Sequence, residues 1–250
     1  MTKFDLIGES IMPKIFGWQH IVYLLVFVVV AAVSLVLIKL KVKGEKQINY
    51  IVKGVGGLLL CLLVWNRIVI SIRDDTWLGL IPNTVCGTTS LLFALAAIFF
   101  KRGNIVFHFF VYISLWGCTL TMIYPDFIGQ AESFLYQPTI SGMLHHSVSW
   151  YLAVLMIMTG FFKPTIHKFY AFPVGLAFYM SYGVFLMDCI GLESAMYIHE
   201  PLIAGTIFTW YFVGFLIGVA TAAVLIVYDY VGKRLSKKAT KGTSSNTTVV

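Results

Sequence analysis

The sequence predicts an all-α polytopic membrane protein: seven transmembrane helices, amino terminus outside and carboxyl terminus cytoplasmic. Three observations predict it. The 250 residues are 59% hydrophobic and only 12% charged, with a mean hydropathy of +0.86. Soluble domains carry about 25% charged residues, so this chain has too few polar groups to cover a globular surface. Its apolar residues fall into seven runs of about 19–24, near the length that crosses a hydrocarbon core about 30 Å thick. Finally, 14 of the 18 Lys and Arg residues fall on one side of those runs. The positive-inside rule makes that side cytoplasmic. The same figures exclude a soluble enzyme, a disordered chain and a nucleic-acid binder. The net charge of +7 reflects topology. A barrel is excluded because strict alternation is absent.

The runs are 18–38, 51–72, 78–100, 104–123, 139–162, 170–188 and 206–228. The first, with Gln19 and His20 at its outer end, is too long for a signal-peptide core. The connection after it holds Lys39, Lys41, Lys43, Lys46 and Lys53. The second run carries Asn66 and Arg67. The third opens Ile81-Pro-Asn-Thr-Val-Cys86, with Pro82 expected in the first helical turn, where a missing N–H does least harm. Lys101 and Arg102 follow. The fourth has His108 near its inner end. The fifth carries His145 and His146, then Lys163 and Lys168 follow. Asp188 closes the sixth. The seventh contains Gly214 and Gly218, a GxxxG read as internal packing. Residues 1–232 form the bundle. Residues 233–250 are basic, then rich in Ser and Thr, and are expected to be a disordered cytoplasmic tail. The outer side keeps Lys3, Lys14 and Arg73, with Asp74, Asp75, Asp126, Glu132, Glu193 and Glu200.

Polar groups inside a membrane are costly and mark function by default. Here Gln19, His20, Asn66, Arg67, Asn83, Thr84, Cys86, His145, His146 and Asp188 all fall in the outer half of their runs. At 1.5 Å per residue, Cys86 and His145 are both expected roughly 10 Å below the outer boundary. The expectation is a shared polar chamber. The chemistry it offers is a nucleophile with a base. An imidazole, His145 or His146, would take the thiol proton of Cys86. Arg67 and Asn83 would hold a phosphate or an oxyanion. His20 or Asp188 would orient the base. The stripes Ser141–His145–Ser149 and Gly142–His146–Ser149–Ala153 give the fifth helix one small, polar face for the interior.

Plainer readings exist for each residue. A histidine in a span can simply bond neighbouring helices. Arg67 can snorkel to the headgroups. Cys61 and Cys118 read as apolar fillers, and the four cysteines, with Cys86 and Cys189, show no disulfide framework. No HExxH, P-loop, GxGxxG or CxxC motif occurs, so no cofactor and no metal is expected. The expected partners are membrane lipids. No nucleic acid and no soluble protein partner is inferable.

Several of these motifs occur in a familiar order: Phe16-Gly-Trp-Gln-His20 at the first run, Trp77 before the third, Pro82 to Cys86 opening it, Pro125-Asp126 after the fourth, His145 or His146 about 20 residues on, and Met196-Tyr-Ile-His-Glu-Pro201 before the last. In this the chain resembles the YwaF-type bacterial integral membrane proteins, the group that includes the transmembrane protein 164 acyltransferase of vertebrates. The resemblance covers most of residues 16–230. It departs at Thr84, where many bacterial members have a His, and at Ser194-Ala195, where most have Asn-Tyr. The resemblance implies a Cys and a His from different spans as catalytic pair, here Cys86 with His146 or His145. It implies a lipid acyltransferase or hydrolase in the bacterial cytoplasmic membrane. The alternative expectation is a non-catalytic binding or transport protein for a small polar or anionic solute.

Overall fold

The computed structural model describes residues 16–125, 133–199, 201–202 and 205–244, with side chains in the last helix up to Arg234. Lys3, Lys14, Asp126, Glu132 and Glu200 lie outside the described residues, as do the side chains of Lys237, Lys238 and Lys241. Among these residues seven α-helices follow one another: α1 Trp18–Lys41, α2 Glu45–Arg73, α3 Val85–Phe99, α4 Phe107–Ile123, α5 Gln137–Met158, α6 Ala171–Asp188 and α7 Trp210–Ser244. No strand occurs among the described residues.

Five of these segments are long and apolar enough to cross a membrane: α1, α2, α5, the Ile166–Asp188 stretch that ends in α6, and α7. The helices α3 and α4 are shorter, at 15 and 17 residues. The run expected at 78–100 is not one helix. A 3-10 turn at Trp77–Leu80 comes first, then an extended stretch, and α3 starts only at Val85. The cause is local. Pro82 disfavours helix at the residue before it. Thr84 then caps α3 through its Oγ1, which accepts from the Gly87 N–H at 3.1 Å. At the other end of the chain, α7 continues past 232 to Ser244, so the first part of the basic segment is helical here. Extending an existing helix needs no new nucleus, and its Lys, Arg, Leu and Ala residues favour helix.

The centre is α2–α5. On α2, Val52, Gly56, Leu59, Leu63, Asn66 and Val69 are buried at three- and four-residue spacing, one continuous face. Gly56 lets α2 lie close to α3: a Cβ there would come within 2.9 Å of the Ala97 methyl. On α5, Ser141, Gly142, His145, His146, Ser149, Leu152 and Ala153 are all buried, the inward face that the two stripes predict. By contrast α1 buries only His20, Ala31 and Leu35. Its Leu25, Val26, Val29 and Val30 are open, an apolar surface suited to lipid and too extensive for water.

The ends of the bundle differ. At one end the α1–α2, α3–α4 and α5–α6 connections meet. Arg102 donates to the Gly160 carbonyl at 2.9 Å and pairs with Glu45. Asp229 of α7 accepts from the Ile166 N–H at 3.2 Å. The other end, formed by the α2–α3 and α6–α7 connections, is hollow.

Candidate active site

A cavity of about 680 Å³ opens at that hollow end. Five of the helices, α2 through α6, line it together with α7 and the segment that joins those last two. Of the residues singled out by sequence, Cys86, His145, His146, Arg67 and Asn83 are in its wall.

Cys86 is the second residue of α3. The first N–H groups of a helix have no intrahelical acceptor and carry the positive end of its dipole, so the thiol sits where a developing negative charge is favoured. The space around the sulfur is set by Gly117 of α4, where a Cβ would stand 3.3 Å from Sγ. The sulfur makes a long contact with Thr121 Oγ1 at 3.9 Å. That hydroxyl already donates to the Gly117 carbonyl at 3.0 Å. The thiol is therefore the donor in this long contact.

The two imidazoles are 4.1 Å apart, centroid to centroid, and differ in what fixes them. His146 Nδ1 donates to the Gly142 carbonyl at 2.7 Å. A carbonyl can only accept, so the proton is on Nδ1, and the neutral ring keeps a lone pair on Nε2. His145 Nδ1 bonds Ser90 Oγ at 3.2 Å, and Ser90 lies one helical turn from Cys86 on α3. Neither imidazole is hydrogen-bonded to Cys86 Sγ. Thiol and rings face the same hollow.

Arg67 and Asn66 extend this network. Arg67 Nη2 donates to Asn66 Oδ1 at 2.7 Å, and Asn66 Nδ2 donates to Ser141 Oγ at 2.9 Å. Arg67 Nε is buried without a hydrogen-bond partner, and no carboxylate among the described residues is within ion-pair distance. The neighbouring cation Arg73 is different. It holds Asp74 through two bonds, 2.6 and 2.9 Å, and that pairing keeps the Asp74 carboxyl below its usual range. Of the two arginines in the wall, Arg67 is the one with no carboxylate partner among the described residues.

Two predicted members are elsewhere. His20 is not in the wall. Its Nε2 donates to the Met122 carbonyl at 2.7 Å, and its Nδ1 accepts from the Phe16 N–H at 3.2 Å. Both ring nitrogens are satisfied in helix packing. The reason is placement: α1 meets α5 at Ser147, through Tyr23 OH at 2.7 Å, a different face from that of His146. Asp188 ends α6 in an exposed position and does not line the cavity. An outer-half position says nothing about which way a side chain points, and that accounts for both.

The wall also contains residues that the spans do not predict: Thr121, Gly117 and Trp210, and Gly191, Leu192, Glu193, Ser194 and Tyr197 of the α6–α7 connection. That segment folds back into the bundle. Met196 N–H donates to the Asn83 carbonyl at 2.8 Å, so Asn83 holds it by backbone. Met196 and Tyr197 both have left-handed backbones, φ +55° and +57°, conformations that cost on the order of 1–3 kcal/mol each in non-glycine residues. Burial of Ala195 and Met196 offsets this. The only signal available in sequence is the Met-Tyr-Ile-x-x-Pro segment. Among the described residues no three His, Cys, Asp or Glu side chains gather as a metal site.

A sequence model of the TMEM164 family matches residues 15–228, which is most of the chain. The chain belongs to that family, and the kinship read from its motifs is shown by this match. Family and apolar helices together make it a multi-pass integral membrane protein. No curated protein and no solved structure matches it.

Proposed function

We propose that this TMEM164-family chain is a membrane enzyme that transfers or hydrolyses acyl groups of lipids, with Cys86 as nucleophile and His146 as base. One observation carries the reading: a thiol in the first turn of a helix shares a cavity with an imidazole whose Nδ1 is tied to a carbonyl, leaving Nε2 free to accept a proton. His146 Nε2 takes the Sγ proton, directly or through one water. Sulfur attacks the ester carbonyl, and the tetrahedral oxyanion forms near the N–H groups that open α3. The C–O bond breaks, the imidazolium returns its proton to the leaving alcohol, and a thioester remains on Cys86. Water or an acceptor hydroxyl, deprotonated by His146, then attacks the thioester and releases the thiol. Arg67 holds the phosphate of the lipid, and His145, tied to Ser90, supports the base.

The reading includes all seven helices crossing the bacterial cytoplasmic membrane, with the cavity open to the outside and the lysine-rich end in the cytoplasm. The test is a carboxyl-terminal tag: access only after permeabilisation would support that orientation, and access in intact cells would overturn it.

The test is purified protein in phospholipid vesicles. Wild type should release lysolipid or pass on an acyl group, and should carry a hydroxylamine-labile acyl mass on Cys86. Equal turnover by Cys86→Ala removes the nucleophile assignment. The unpaired Arg67 also favours a second reading, a binding or transport protein for a small anionic solute. Saturable solute uptake into vesicles, with no acyl turnover, would select it.

A further inference from the structure

We propose that a second, apolar cavity between α4, α5 and α7 holds the hydrocarbon chain of a lipid whose polar end occupies the Cys86 chamber. The placement of the ester beside Cys86 rests on the acyl-transfer reading; the chain site itself rests on other observations. This cavity is about 320 Å³ and is lined by Tyr112, Trp116, Trp150, Thr221, Leu225 and Tyr228, among others.

The two cavities are neighbours. On α7, Val213, Gly214 and Ile217 line the chamber, and Thr221, Val224, Leu225 and Tyr228 line the apolar cavity. Those positions recur at three- and four-residue spacing, so one face of α7 runs past both. From Gly214 to Leu225 that face is about 16 Å long at 1.5 Å per residue. On α4 the two linings alternate along the helix, Ile113, Gly117 and Thr121 on the chamber and Tyr112, Trp116 and Thr119 on the apolar cavity, so the two spaces flank adjacent faces of α4, with Gly117 beside the Cys86 sulfur. At this level α4 and α7 are joined by Trp116 Nε1 donating to Thr221 Oγ1 at 3.0 Å.

The walls suit methylene groups. Thr119 Oγ1 donates to the Leu115 carbonyl, Thr221 accepts from Trp116, and the Tyr112 hydroxyl bonds His108 Nδ1 at 3.1 Å. Their polar atoms are engaged, so water or an ion would gain little there. The volume takes roughly ten small groups at about 30 Å³ each, a stretch of acyl chain. Bilayer hydrocarbon is as apolar as this wall. The cavity therefore adds little affinity and acts on register, deciding which atoms of a bound lipid stop at the thiol.

The experiment compares butanoyl and palmitoyl esters of one lipid in vesicles, with wild type and Leu225→Trp, whose larger indole obstructs the cavity. The expected result is a palmitoyl turnover reduced about tenfold or more, with butanoyl turnover unchanged. Equal loss on both esters, or no loss on either, overturns the proposal. A second measurement needs no variant and no activity: a palmitoyl lipid bearing a photoreactive diazirine along its chain is cross-linked to wild type in the bilayer. Adducts on Tyr112 and Leu225, only 5% and 2% exposed, support the site. Adducts confined to outward residues such as Val227 overturn it. Labelling of Tyr112 and Leu225 without turnover of either ester supports the chain site and removes the acyl-transfer reading. Turnover without that labelling removes the chain site alone.

Discussion

The two ends of the bundle treat buried imidazoles in opposite ways. At the hollow end His145 and His146 border 680 Å³ of open space, beside a thiol and an unpaired guanidinium. At the lysine-rich end His108 is as buried as His145, both 2% exposed. Yet its Nδ1 is bonded to Tyr112 OH and its ring packs edge-on to Phe162 at 4.6 Å. Phe93, Phe107 and Phe161 fill the rest of that region. The chemistry of the side chain is the same in both places. What differs is empty volume beside it. In a membrane bundle a buried histidine thus marks a candidate site where the packing leaves room for a ligand, and a cross-link between helices where it does not.

Substitution at both ends tests this most strongly. Cys86→Ala should abolish acyl turnover, and His146→Ala should reduce it by roughly 10²–10⁴-fold, the usual contribution of a general base. Both variants should remain folded by thermal unfolding in detergent. His108→Leu should do the reverse. Tyr112 OH would lose the imidazole and keep its backbone partner at Thr165, lowering stability by about 1 kcal/mol, while turnover per folded molecule stays at the wild-type value. Loss of turnover in folded His108→Leu would break the contrast between the ends.

Much of this contrast could be read from residue patterns, for physical reasons. Long apolar runs need lipid, so the helices follow from composition. The small, polar stripe of α5 follows from helical periodicity, and it is buried in the bundle. Depth counting put Cys86 with His145 and His146 and set His108 apart, and the cavity wall has the first three and not His108. Depth counting fails in direction. His20 and Asp188 have outer-half positions but turn away, because the rotation of a helix is set by neighbours that a hydropathy run does not specify. The start of α3 is a second failure. Pro82 and Thr84 stop and cap a helix, but neither interrupts a count of apolar residues. The wall formed by Gly191 to Tyr197 is the least legible part. It is a connection held by one backbone bond to Asn83 and two left-handed residues, and such tertiary contacts leave no periodic trace.

The next effect concerns charge at the hollow end. Arg73 is committed to Asp74 and Arg67 is not. Arg67→Ala should raise KM for a phosphate-bearing lipid about tenfold or more, as expected for a lost hydrogen bond to a charged group, with a smaller change in kcat. Arg67→Lys should recover only part of this, because an ammonium has no planar fork to hold Asn66 and a phosphate together. Arg73→Ala, which frees Asp74, should leave KM near wild type. If the two arginines behave alike, the cavity senses overall charge and no particular guanidinium.

The smallest effect is the most exact probe of the space around the thiol. A Cβ on Gly117 would stand 3.3 Å from Cys86 Sγ, so the sulfur must move by a few tenths of an ångström. Misplacing a reacting atom by about 1 Å costs on the order of 10²-fold, and this smaller displacement should cost severalfold in kcat. Stability should move the other way, since Gly→Ala inside a helix contributes roughly 0.5–1 kcal/mol. Gly57 is the control. It lies within α2, and a Cβ there would meet nothing within 4 Å. Gly57→Ala should therefore raise the unfolding temperature and leave turnover as it was. If Gly117→Ala behaves like Gly57→Ala, the thiol has slack. The rate would then be set by where the lipid stops in the cavity and not by how the wall positions the sulfur.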